Sequence, residues 1–193
     1  MGRRLRAEGY EVLNLDYPSR RASIEELARK AIGGALDDSR LATCSKVHFV
    51  THSMGGILVR SYFSTHRDRR LGRVVMLGPP NQGSEVVDRL SWTKAFQWLN
   101  GPAGGELGTG KNSTPNRLGP VDYELGVISG DRSINWINSL MIPGPDDGKV
   151  SVERTKVAGQ RDHVVAHVTH PFMMRDRFVI ESTLRFLRTG RFR

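Results

Sequence analysis

The stretch 46–63, KVHFVTHSMGGILVRSYF, admits few folded arrangements. Residues 47–50 form a short apolar run that reads as a buried strand. From Met54 onward, Met54, Ile57, Leu58 and Tyr62 recur at helical spacing. Only Thr51, His52 and Ser53 separate the two patterns. A strand that becomes a helix within so few residues must bend sharply, and the residue at the apex is pushed outward. That residue is Ser53. Gly55 and Gly56 are small enough to let the helix pass close to the strand. The N–H of Met54 would sit at a helix N-terminus, where it can stabilise an oxyanion. The motif departs from G-x-S-x-G in having Thr51 at its first position, which tightens the bend. A plainer reading makes Ser53 an N-cap. Capping alone, however, requires neither the abrupt strand nor the glycine pair.

The remaining chain alternates in the same way. Residues 3–9 read as the end of a helix stopped by Gly9. Residues 10–17 (YEVLNLDY) read as a buried strand stopped by Pro18. Ser23 and Glu26 make a capping-box pattern ahead of a helix to about Leu36. Further strands are expected at 73–77, 123–129 and 163–168, with a final helix over about 176–188. In that helix Phe178, Ile180, Leu184, Phe186 and Leu187 are expected to face inward. Strands alternating with helices predict an α/β fold, a mostly parallel sheet covered on both faces, with reactive groups at the carboxyl ends of its strands. The turn 80–84 (PNQGS) should lie near Ser53 at that edge. Residues 1–193 read as a single domain, with 84–120 either a cap or lid insertion or ordinary core. Its helical stretch at 84–100 carries Trp92, Phe96 and Leu99 with Val86, Val87 and Leu90. A connection with Trp136 and Ile137 follows the strand at 123–129.

Two other features are set aside. Gly105 to Lys111 matches most of a phosphate-binding loop, but Asn112 stands where a magnesium-ligating Ser or Thr belongs and no strand precedes it. It reads as a flexible surface loop. The net charge of +9 comes from arginine clusters at 3–6, 67–70 and 185–193. Without a nucleic-acid motif these read as solvated faces, and no nucleic-acid partner is expected. No apolar run reaches membrane-spanning length. The opening MGRRLR lacks the apolar core of a signal peptide, so a cytoplasmic chain is the default expectation. A single cysteine, Cys44, excludes an internal disulfide.

A serine hydroxyl needs a base to take its proton, and the base needs a carboxylate to fix its tautomer. Of the six histidines, His48, His52 and His66 belong to the strand, elbow and helix around Ser53. His163 and His167 belong to the last strand. His170 alone falls just past that strand, at the carboxyl edge. The acid should follow the strand at 123–129. Asp147, in the Asp-Gly turn at 147–148, is favoured, with Asp131 and Asp146 as alternatives.

THSMGG at 51–56, DGKV at 147–150 and THPFMMRD at 169–176 resemble α/β-hydrolases of the lipase/esterase-like group. DYPSR at 16–20, PPNQGS at 79–84 and FLRTGRF at 186–192 support the resemblance, which covers nearly the whole chain. It implies an α/β-hydrolase fold and a Ser53–Asp147–His170 triad acting on carboxylic esters of small molecules or lipids, with Met54 as one oxyanion donor. No metal or cofactor is implied. An acyltransferase or thioesterase would use the same triad, and a catalytically silent domain would keep the fold as a binding protein. Relatives begin with a strand and an H-G loop that supplies a second oxyanion donor. Here that strand is expected upstream of Met1, pairing between residues 10–17 and 46–51.

Overall fold

The computed structural model describes the backbone of residues 1–193 and the side chains of all but Ala95, Leu99 and Trp136. Four strands form one parallel sheet: β1 (Val47–His52), β2 (Leu71–Leu77), β3 (Leu125–Gly130) and β4 (Asp162–Ala166), in the order β1-β2-β3-β4. The helices are α1 (Gly2–Ala7), α2 (24–36), α3 (Met54–Phe63), α4 (Glu85–Leu90), α5 (Lys94–Gly105), α6 (Thr114–Arg117), α7 (Trp136–Ser139) and α8 (Arg177–Thr189). α2 starts as expected, with Ser23 Oγ accepting from the Glu26 N–H at 3.3 Å, and passes through a π turn at Arg29–Gly33.

The apolar runs of the strands are explained by burial on both faces. Side chains alternate across β2: Val74 and Met76 join Ile24, Leu27, Ile57 and Leu58 of α2 and α3 on one side. Val75 and Leu77 join Val179, Leu184 and Phe186 of α8 on the other. Within α8, Phe178 is 49% exposed, contrary to its expected inward placement; its neighbour Val179 is buried instead. Between β2 and β3, the expected bulky face also divides. Val86 and Val87 are buried, whereas Trp92 is exposed. Leu99 and Trp136 lie outside the described side chains. The glycine-rich stretch is not a free loop, because Ala103 and Leu107 are buried. Glu106 there accepts from Ile24 N–H at 3.0 Å and Thr114 Oγ1 at 2.8 Å. Among the described residues, no helix is long and apolar enough to cross a membrane.

Residues 10–17 depart from the expected buried strand. They are only partly buried and pair with no strand. Tyr10 meets His48 edge-on at 6.1 Å, and the Tyr17 hydroxyl lies beside Gly55, so the segment runs alongside β1 in the same direction. A cavity of about 530 Å³ separates them, lined by Leu13, Leu15 and Tyr17 on one side and Phe49 and Val50 on the other. Backbone pairing requires strands about 4.8 Å apart. With the cavity between them, neither β1's outer edge nor residues 10–17 can satisfy the other.

Arg60 of α3 is a second organising feature, at 4% exposure. Its guanidinium donates to the Asn81 carbonyl (2.8 Å) and side chain (3.2 Å), and to the carbonyls of Pro115 (3.0 Å) and Gly119 (2.8 Å). Burial lowers its pKa to about 10, which still leaves it charged at neutral pH. Arg60→Leu would leave these buried acceptors without a donor. The expected loss is about 3 kcal/mol, seen as a fall in Tm of roughly 6–12 °C.

Candidate active site

The carboxyl ends of the parallel strands gather the site. Ser53 follows β1 directly and is the only non-glycine residue with positive φ (54°) among the described residues. Its N–H donates to Leu77 O at 2.9 Å, which pins the apex to the end of β2. Its side chain makes no capping bond to α3, so the N-cap reading does not account for it. Met54 is the first residue of α3, so its N–H has no acceptor within the helix.

Asp147 and His170 meet at 1% and 4% exposure. His170 Nδ1–H donates to Asp147 Oδ2 at 2.7 Å. Asp147 Oδ1 accepts from the N–H groups of Lys149 (3.0 Å) and Val150 (2.9 Å). The His170 N–H donates to the Asp147 carbonyl at 2.9 Å. The Asp-Gly turn therefore presents the carboxylate from a fixed backbone, helped by Gly148 at φ +97°. His170 opens a 3-10 helix, His170–Arg175, rather than lying in a loop. With Nδ1 committed to Asp147, Nε2 carries the lone pair; it is buried and has no partner among the described residues.

The alternative acids are used elsewhere. Asp146 Oδ1 accepts from Gly148 N–H at 2.7 Å and Ser139 Oγ at 2.9 Å, which shapes the turn. Asp131 pairs with His167 at 2.9 Å, and that histidine side chain is 77% exposed. The other histidines are structural or external: His48 Nδ1 accepts from Arg73 N–H, His163 Nε2 bonds Ser129 Oγ, and His66 stacks on Tyr62. In the turn 80–84, Asn81 is spent on Arg60 and on the Thr155 carbonyl, while Gln82 binds the carbonyls of Glu153 and Lys156.

Two contributors escaped the sequence reading. Gly78, at φ +55° after β2, leaves space where a Cβ would come within 2.8 Å of Asp147 Oδ2 and 3.1 Å of His170 Nδ1. Its position directly after a strand at the carboxyl edge was the available signal. His52 Nε2–H donates to the His170 carbonyl at 2.9 Å, and the two rings lie 4.6 Å apart. No pattern in the sequence marks that contact.

The structure thus joins Asp147 to His170 directly, and places Ser53 at the neighbouring strand end. No direct hydrogen bond links Ser53 Oγ to the His170 ring among the described residues. Such contacts commonly tighten only when substrate is bound. No cluster of His, Cys, Asp and Glu suited to a metal ion occurs among the described residues.

The same arrangement of sheet and helices recurs in solved structures. The mature lipase BlEst2 of Bacillus licheniformis superposes with a TM-score of 0.62 over 80% of this chain and 69% of its own, at 18% identity. The chain has the α/β-hydrolase fold. The phospholipase PlaB of Legionella pneumophila shares that fold with a TM-score of 0.63 over 80% of this chain, at 20% identity. This chain spans only 40% of PlaB. The lin2722 product of Listeria innocua gives 0.55 over 87% of this chain and 68% of its own, at 20% identity. No family model and no curated protein matches the sequence. In this α/β-hydrolase fold, the free edge of β1 and the cavity beside it lie next to the candidate nucleophile.

Burial lowers the His52 pKa to about 4, and the adjacent His170 adds to the effect. Burial also lowers those of His48 and His163. These side chains are neutral in the folded chain at pH values where the unfolded chain binds protons, below about 6.5. Stability is therefore expected to fall as pH drops from about 6.5 towards 4, and His52→Gln should flatten part of that fall. Urea unfolding at stepped pH checks both.

Proposed function

We propose that this chain is a serine hydrolase that cleaves carboxylic esters. The observation that carries the reading is the buried Asp147–His170 pair, whose Nε2 lacks a partner, at the same sheet edge as the strained Ser53 apex. Ser53 Oγ attacks the ester carbonyl while His170 Nε2 takes its proton. Asp147 holds the imidazole in the Nδ1–H tautomer and stabilises the imidazolium. The Met54 N–H binds the oxyanion. His170 then protonates the leaving alcohol, and afterwards activates the water that releases the acid from the acyl-enzyme. The recurrence of this fold in a lipase and a phospholipase is consistent with ester chemistry, on small molecules or lipids.

The cavity beside β1 supports the further expectation that an additional strand pairs there; the resemblance to lipase/esterase-like hydrolases implies that an H-G loop on that strand would supply a second oxyanion donor. A site with one oxyanion donor fewer turns over more slowly by on the order of 100- to 1,000-fold. The same observation favours a second reading, in which the 193-residue chain is catalytically silent and acts as a binding domain. Hydrolysis of a series of p-nitrophenyl esters tests these readings, run on this chain and on one extended upstream in its reading frame. Turnover by either, abolished in Ser53→Ala, supports the hydrolase. Folded protein inactive in both forms favours the silent domain. Transfer of the acyl group to an added alcohol in preference to water would instead indicate an acyltransferase.

A further inference from the structure

His170 is held by its own N–H to the Asp147 carbonyl, by Nδ1–H to Asp147 Oδ2, and by its carbonyl, which accepts from His52 Nε2–H. The first two bonds tie His170 to the turn at 145–150. The third alone ties it to β1, the strand that carries Ser53. A carbonyl can only accept, so His52 must bear its proton on Nε2. The two imidazoles also pack at 4.6 Å with their planes inclined by 44°, which fixes the direction of approach as well as its length.

We propose that His52 is a positioning residue: its Nε2–H bond to the His170 carbonyl sets the distance between His170 Nε2 and the Ser53 hydroxyl. The inference rests on the reading of Ser53, Asp147 and His170 as a triad. Because His52 immediately precedes Ser53, any shift of the apex carries the His170 segment with it. The serine and its base therefore keep their spacing although they arrive from opposite ends of the sequence. Misplacement by about 1 Å at such a site can cost on the order of 100-fold.

Three variants test this. His52→Phe keeps a ring but loses the donor. His52→Asn keeps an amide too short to reach. His52→Gln has an amide N–H that reaches the position of imidazole Nε2. With a p-nitrophenyl ester, Phe and Asn are expected to lower kcat by about 100-fold with KM within about twofold. Gln should recover kcat to within about fivefold of the parent. Independently of turnover, amide hydrogen exchange across residues 169–173 should accelerate about tenfold in the Phe and Asn variants and not in Gln. Parent-like kcat and exchange in either the Phe or the Asn variant, or a Gln variant as impaired as Asn, would overturn the proposal. If the parent neither turns over ester nor reacts at Ser53, the triad reading fails. The exchange comparison still decides whether His52 holds the His170 segment.

Discussion

Replacing Ser53 with Ala is expected to lower ester turnover by on the order of 10⁵- to 10⁶-fold while leaving the fold intact. The size follows from the role: without Oγ there is no acyl-enzyme, and His170 has no hydroxyl to deprotonate. The accompanying silence in stability is equally specific. Ser53 makes no side-chain bond to α3, so removing its hydroxyl should change unfolding free energy by less than about 0.5 kcal/mol. A serine acting only as an N-cap would give the opposite pattern, about 1 kcal/mol of lost stability with activity untouched. Kinetics on a p-nitrophenyl ester and urea unfolding of the same preparation separate the two.

Asp147→Asn is expected to lower kcat by on the order of 10⁴-fold with little change in KM. The asparagine oxygen can still accept from the Lys149 and Val150 N–H groups, so the turn should hold. Its amide nitrogen would then face His170 Nδ1–H, donor against donor. The imidazole answers by moving its proton to Nε2, where it can no longer accept one from Ser53. Asp131→Asn should stay within about twofold of the parent, because Asp131 engages only the exposed His167. Parallel kinetics on the two variants checks the assignment, and a collapse confined to Asp131→Asn would transfer the role.

Much of this was legible because the signals are local. The change from strand to helix pattern around Ser53 occurs within so few residues that the bend had to exist, and Asp-Gly at 147–148 announces a tight turn. The choice of Asp147 over Asp131 and Asp146 was only a preference in the sequence. What distinguishes them is which carboxylate the fold carries to His170, beside Gly78 at the end of β2, a long-range outcome. Residues 10–17 have strand composition, yet a strand exists only when a neighbour lies within pairing distance, and here a cavity intervenes. Phe178 and Val179 show the same limit on a smaller scale, since both are apolar and helix phase alone decides which is buried. The His52–His170 contact is invisible because it joins residues 118 positions apart. Trp92 defeats the rule that bulky apolar residues mark a core face, being exposed at the surface.

Ser53 is proposed to be a nucleophile activated by His170. A fluorophosphonate probe reports on this directly, because it reacts with an activated serine and leaves a stable adduct that mass spectrometry can locate. A single adduct on Ser53 is expected in the folded parent, absent in Ser53→Ala and much slowed in His170→Ala. Folded parent protein that carries no adduct on Ser53, or an adduct elsewhere that survives Ser53→Ala, would contradict it.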